Sequence, residues 1–378
     1  MYINEIFDLD EIFNYEKKIF LQKKINILNV SYWNPSDEYR NYMLDKIHME
    51  QNNNFFNYHY TYDIPREVRQ NVISKLGNKD TNSTMCLLTP SATSSIINMI
   101  NFLKNNGYKK LCILEPAYFS VEQTCILFDL PYEKCNIQFI NNHYVIPYKY
   151  IKSNGFDAVW ITSPIYSTST EYDYGQINVI QKLIDQNVLV IADETLALPN
   201  QELCRKIPIG KHFFCIYSPH KPLFINGIKF SAILCPKYLD DFLEQWIDVL
   251  GGGLLHSNLM AIQHFLSENY NQCVEYCIKW YGTNLKLIEA LLDNVPYAFC
   301  DSHTLGAYKM LFFKSSSKNM NSLNNIFALI DKYYVSYIPG IYSGFSSDFN
   351  ACFRINLSLK PEELSYSLSH ILNFMLEH

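Results

Sequence analysis

Short apolar runs and longer helical stretches alternate along the first two thirds of the chain. Residues 111–114 (LCIL), 158–161 (AVWI), 188–192 (VLVIA), 213–217 (FFCIY) and 231–234 (SAIL) are each four or five residues long. Most lack strict apolar–polar alternation and read as strands buried on both faces. Between them, residues 93–103 and 174–184 carry apolar side chains at helical spacing. This alternation predicts an α/β fold, a mostly parallel sheet with helices on both faces. After Gly251-Gly252-Gly253 the character changes. Helical patterns run through residues 262–292, followed by strand-like runs at 307–313, 335–338 and 352–357 and a closing helix from about Pro361. The expected organisation is an N-terminal segment (1–51) packing with the small domain, a large domain (52–270), and a small α+β C-terminal domain (271–378). No internal repeat at solenoid periods is visible.

Composition narrows the function classes. With 378 residues, 48% of them hydrophobic, the chain is long enough for two domains and too apolar for disorder. A net charge of −6, with Lys and Arg scattered, disfavours a nucleic-acid partner. The absence of a run of about 18 apolar residues argues against a membrane span. Eleven cysteines, behind a start (MYINEIFDLDEIF) with no basic region ahead of an apolar stretch, predict a cytoplasmic protein with reduced thiols. Cys273 and Cys277 share a helical face, but no second ligand pair follows at zinc spacing, so buried apolar thiols are expected and no metal.

In open α/β sheets ligands bind beyond the carboxyl ends of the strands, so the polar residues directly after each apolar run matter most. Leu87-Leu88-Thr89-Pro90 leads into Ser91-Ala92-Thr93 and a helix, a potential phosphate or carboxylate site that a plain N-cap also explains. LCIL leads to Glu115-Pro116-Ala117-Tyr118, where the aromatic is either a loop residue or a ring to stack on. AVWIT gives way to Ser163-Pro164-Ile165-Tyr166, and VLVIA ends on Asp193-Glu194, a carboxylate costly to bury unpaired. FFCIY runs into Ser218-Pro219-His220-Lys221, whose lysine is either a surface residue or a desolvated amine suited to Schiff-base chemistry.

Taken together, residues 58–358 resemble the fold-type I pyridoxal-phosphate enzymes, specifically the class I/II aminotransferases. The most specific piece is Ser218-Pro219-His220-Lys221 with Gly227 six and Lys229 eight residues beyond the lysine. It is similar to the family's Ser, two residues, Schiff-base Lys, then Gly and a basic residue. The resemblance implies a PLP-dependent transferase-like fold with pyridoxal 5′-phosphate as cofactor. It also implies amino-acid and keto-acid substrates, and a homodimer with shared active sites.

Residue by residue, it implies that Lys221 holds the cofactor and shuttles the proton. Asp193 keeps the pyridine nitrogen protonated. Ser91, Ala92, Thr93, Ser218 and Lys229 hold the phosphate, and Tyr118 stacks on the ring. Arg354 forks onto the substrate α-carboxylate. One of Tyr58, Tyr60 and Tyr62, with Tyr60 preferred, reaches the neighbouring subunit's phosphate. Ser31, Tyr32 and Trp33 fall where members line the substrate pocket, with Tyr32 the chosen contact. His220 is expected in a structural hydrogen bond and Glu194 as a helix-start residue.

Three positions depart from the family. Tyr166 stands where an Asn usually bonds the cofactor's phenolic oxygen, Leu196 where a Tyr does, and Lys229 where the phosphate ligand is usually Arg. Losing both phenolic donors should raise the pKa of the imine, a loss that a Tyr166 contact would offset in part. The leading expectation is an aminotransferase. The departures keep open a lyase, cyclase or oxidase of an amino acid with the same cofactor. A binding protein that has lost catalysis is disfavoured by the acidic balance and the absence of an N-terminal DNA-binding module.

Overall fold

The apolar runs become the interior of one large sheet. The computed structural model describes residues 2–47, 64, 66–76, 83–140, 143–314, 322–345 and 351–377. Strands in chain order are β1 (Leu28–Asn29), β2 (Thr84–Thr89), β3 (Leu111–Glu115), β4 (Tyr132–Asn136), β5 (Gln138–Ile140), β6 (His143–Val145) and β7 (Ala158–Thr162). They continue with β8 (Leu189–Glu194), β9 (Phe213–Tyr217), β10 (Ser231–Pro236), β11 (Ala298–Cys300), β12 (Tyr308–Phe313), β13 (Val335–Ser336) and β14 (Cys352–Asn356). Helices are α1 (Tyr2–Lys23), α2 (Asp37–Ile47), α3 (Arg66–Lys75), α4 (Ala92–Asn105), α5 (Ser120–Leu127) and α6 (Tyr148–Ser153). After them come α7 (Tyr174–Asp185), α8 (Asp240–Gly251), α9 (His256–His264), α10 (Tyr270–Leu292), α11 (Leu323–Tyr333) and α12 (Pro361–Glu377). Among the described residues no helix is long and apolar enough to cross a membrane.

Two units emerge, one of residues 42–166 and 170–276, the other of 1–41, 167–169 and 277–378. The first holds a seven-stranded sheet in the order β2-β10-β9-β8-β7-β3-β4. All pairs are parallel except those of β10, which runs antiparallel to both neighbours. β3, β7, β8, β9 and β10 are buried at every position, the pattern of a sheet covered on both faces. On one face α4 packs Ile96, Met99, Ile100 and Leu103 against Ile113, Trp160, Ile191, Phe214 and Ile233. Each such aliphatic side chain contributes roughly 1.5–3 kcal/mol by leaving water. α4 starts cleanly because Ser91, in extended backbone, accepts a hydrogen bond from Ser94 N through its side chain. α7 is capped the same way by Asp173 and buries Ile180 and Leu183.

The other unit is α+β. β12 lies between β11 and β14 in an antiparallel sheet, with Met310 opposite Arg354. The N-terminal segment contributes β1, parallel to β13. Gly340 lies so close to Cys352 that a Cβ there would collide with its Sγ. The helical pattern expected over residues 262–292 is borne out, with a π turn at Phe265–Asn269 joining α9 to α10. Apolar spacing cannot register one extra residue per turn, which is why the sequence reads as continuous.

Candidate active site

The first unit gathers its chemistry at the carboxyl ends of β3, β7, β8 and β9. Asp193 is the penultimate residue of β8 and is buried, its Oδ1 accepting from Thr195 N at 3.1 Å. Burial raises its carboxyl above the ordinary range, while the charge of Lys221 and the Thr195 hydrogen bonds pull the other way. Lys221 opens a short 3₁₀ turn, Lys221–Leu223, four residues past the end of β9. Its Nζ lies 5.5 Å from the centroid of the Tyr118 ring. Tyr118 is half-buried beyond β3, and the buried Tyr166 sits 6.2 Å from it, centroid to centroid, at 51°. Asp193, Lys221, Tyr118 and Tyr166 thus come together from segments that are distant in sequence.

A second group forms a polar cradle. Ala92 and Thr93 occupy the first turn of α4, where backbone N–H groups have no intrahelical acceptor. Ser91 binds Ser94 N with its Oγ at 3.1 Å, so its hydroxyl acts as the helix cap. Thr89 Oγ1 and Ser95 Oγ, 2.7 Å apart, stiffen the strand-to-helix turn. Ser218 is buried just after β9, its Oγ donating to Phe230 O at 3.4 Å, while Lys229 is exposed. Leu196 is half-buried in the turn after β8.

Two neighbours differ from expectation. Glu194 does not start a helix. It is the last residue of β8, wholly buried, and its Oε1 accepts from the backbone N–H groups of Leu203 and Cys204. It therefore caps a helical turn nine residues further on. His220 stacks on Phe230 at 4.7 Å and 24° and is buried, with its Nδ1 unpartnered among the described residues. Burial and the adjacent Lys221 push its pKa down to about 3, so the ring is neutral at ordinary pH.

Arg354 belongs to the other unit. It is buried on β14, and its guanidinium carbon lies 4.0 Å from the Trp33 ring and 4.6 Å from the Tyr308 ring. Nη2 donates to Ser31 O at 2.6 Å, and Nε has no partner among the described residues. The Tyr32 hydroxyl donates to Glu16, a buried carboxylate that also accepts from Asn29 and Ser336. The polar end of Tyr32 is thereby committed inside the unit. Sequence reasoning missed this arrangement of Arg354, because nothing in a strand pattern marks which rings will flank a cation. Tyr58, Tyr60 and Tyr62 lie outside the described residues.

Solved structures share the fold of this chain. A methionine aminotransferase from Escherichia coli, YbdL, matches with a TM-score of 0.75 at 13% identity, over 96% of this chain and 96% of its own. The fold decides it. The chain has the fold-type I architecture of the pyridoxal-phosphate aminotransferases. An N-succinyldiaminopimelate aminotransferase from Mycobacterium tuberculosis shares this fold, with a TM-score of 0.76 at 14% identity over 97% of this chain and 96% of that one. Cystalysin from Treponema denticola, whose structure contains pyridoxal 5′-phosphate, shares it at 0.71 and 14%, over 93% and 91%. No protein-family profile matches the sequence, and no curated protein matches it either. Identities this low carry the fold and leave the activity to the residues themselves.

Proposed function

We propose that the chain is a pyridoxal-phosphate-dependent aminotransferase, moving an amino group between an α-amino acid and a keto acid. The observation that carries this reading is a buried carboxylate, a lysine amine and a tyrosine ring grouped at the carboxyl edge of a fold-type I sheet. The residues fit the cofactor. A flat pyridine ring needs an acid for its nitrogen, an amine for its aldehyde, an aromatic face and donors for its phosphate. Asp193, Lys221, Tyr118 and the first turn of α4 with Ser218 and Lys229 offer these in turn. When bound, the cofactor supplies a ring that accepts the electron pair left when Cα loses a proton.

The protein's own part follows from burial and charge. Asp193 would keep a proton on the ring nitrogen, a role favoured by its dry surroundings, where an ion pair with that nitrogen would have little competition from water. Lys221 would hold the cofactor through its amine and, when that amine is free, would be the base that carries the Cα proton. His220 stays neutral beside it and so adds no competing charge. The N–H groups of Ala92 and Thr93 would hold the phosphate, because the helix dipole there favours an anion, with Ser91 shaping the turn. Arg354 takes the α-carboxylate, with Trp33 and Tyr308 shielding its guanidinium faces and Tyr32 acting as part of the wall. A homodimer with shared active sites, at work in the cytoplasm, completes the reading.

An absorbance scan of the cofactor-loaded protein tests the reading. Borohydride should fix the cofactor on Lys221, a suitable amino acid should bleach the visible band by converting the cofactor to its amine form, and a keto acid should restore it. No labelling at Lys221 sinks the cofactor assignment, and labelling without bleaching by any amino acid sinks transamination. A second reading, a lyase, cyclase or oxidase of an amino acid, is favoured by Tyr166 and Leu196 at positions where the family has Asn and Tyr. Ammonia release without the amine form would select it.

A further inference from the structure

A second cluster lies on the opposite face of the large sheet from Asp193. β8 and β9 pair with Ala192 opposite Cys215 and Glu194 opposite Tyr217. Alternate residues of a strand face opposite sides, so Glu194 and Cys215 share one face and Asp193 takes the other. The 3₁₀ turn Leu203–Arg205 brings Cys204 to the same place. A carboxylate oxygen of Glu194 and the sulfurs of Cys204 and Cys215 all lie within 4.8 Å of one another, and all three residues are buried. The Cys215 thiol donates to Glu194 Oε2 at 3.0 Å, while Oε1 takes the N–H groups of Leu203 and Cys204.

Three features set this cluster apart from ordinary core packing. First, Glu194 is buried with no Lys, Arg or His paired to it among the described residues. Second, another buried carboxylate, Glu202, opposes its ionisation, and the cation nearest that group, Arg205, is already bound to Glu202 at 2.5 Å. A cation entering the site would meet the Glu194 carboxylate with no side-chain cation in competition among the described residues. Third, two sulfurs and one oxygen converge. Around one ion with bonds of about 2.3 Å in a tetrahedron, sulfurs stand roughly 3.8 Å apart. Small movements from the observed spacing reach that arrangement. No other group of three His, Cys, Asp or Glu side chains meets this spacing among the described residues.

We propose that Glu194, Cys204 and Cys215 form a site for one thiophilic divalent ion of the zinc class, stapling residues 195–212 to β8 and β9. On binding, both thiols lose their protons to solvent, Glu194 likewise where it is protonated, and the S–H···O bond gives way to two metal–sulfur bonds and one metal–oxygen bond. The backbone N–H groups of Leu203 and Cys204 remain on Oε1 and orient the carboxylate, as outer partners of metal ligands do. Three protein donors leave one tetrahedral position for a small exogenous ligand.

The test titrates the full-length, reduced, metal-free protein with Cd²⁺ and follows ultraviolet thiolate-to-metal absorbance and thermal stability. The expected result is one Cd²⁺ per chain, displaced by Zn²⁺, with a higher melting temperature. Cys204→Ser and Cys215→Ser should each weaken binding at least about tenfold, as should Glu194→Gln, whereas Cys273→Ser should not. Absence of stoichiometric absorbance overturns the proposal, as does absorbance surviving in both serine variants. X-ray absorption of the wild-type Cd²⁺ complex covers variants that fail to fold: two sulfurs in the coordination shell support the site, and any other count overturns it.

Discussion

The two units carry their candidate chemistry in opposite ways. In the sheet unit each site residue sits at, or a few residues beyond, the strand that positions it: Asp193 stands next to last in β8, Ser218 follows β9 directly and Lys221 comes three residues later. In the other unit Arg354 is placed by partners far away in sequence, Ser31 being 323 residues distant. A parallel sheet covered on both faces exposes its backbone only at the strand ends, so chemistry collects there and is written locally. An antiparallel sheet with a borrowed N-terminal segment has no such rule. The contrast predicts that substitutions in the sheet unit mainly affect cofactor chemistry, and those around Arg354 mainly affect substrate affinity.

The largest expected effect comes from Asp193→Asn. An amide cannot hold a protonated ring nitrogen by charge, so kcat should fall by about 10³-fold, the usual scale for removing one preorganised electrostatic partner. Borohydride labelling of Lys221 should persist, because binding the aldehyde does not need that charge. A loss below tenfold would break the assignment of Asp193.

Glu115 separates structure from chemistry within the same unit. It ends β3, and burial raises its pKa to about 7 despite Lys134 at 3.1 Å. A carboxyl whose folded pKa lies above its unfolded value costs nothing at pH 4 and destabilises increasingly as pH rises from about 4.5 to about 7. The full cost is about 3 kcal/mol. His220 has the opposite slope: its lowered pKa means that stability is lost as pH falls from about 6.5 toward 3. Glu115→Gln should therefore gain stability relative to wild type as pH is raised across that window, read by denaturant melts at pH 4.5 and 7.5. Equal differences at both pH values would show that Glu115 titrates normally.

For Arg354→Lys the prediction is a KM about 30-fold higher with kcat little changed, since a point charge replaces a fork that makes two charge-assisted bonds. A change confined to kcat would erase the division of labour between the units.

Legibility followed the same divide. Strand ends in the sheet unit were readable because a fully apolar run of five residues that stops at a charged or hydroxyl residue marks where a buried strand leaves the core. The π turn at Phe265–Asn269, the Trp33–Arg354–Tyr308 stack and the Glu194–Cys204–Cys215 cluster were not readable. Each depends on which side chains meet across the fold, and periodicity carries no record of that. Glu194 shows how a correct position can receive the wrong role. An acidic residue after a strand resembles a helix start, and only the return of Leu203 and Cys204 reveals what it caps.

The smallest effect is the most discriminating. Ser91 caps α4, and the resemblance also places it at the phosphate. Ser91→Ala should cost the cofactor-free protein about 1 kcal/mol, the ordinary value of a lost cap. Ser91→Asp should restore that stability, because Asp is as good an N-cap as Ser. It would also set a carboxylate beside the anion, so cofactor affinity should fall at least about tenfold below that of Ser91→Ala, a difference of about 1.4 kcal/mol. Calorimetric melts of the cofactor-free variants and titration with pyridoxal phosphate separate the two roles. If Ser91→Asp binds the cofactor as well as wild type, Ser91 is a helix cap and nothing more, and the phosphate lies elsewhere than the first turn of α4.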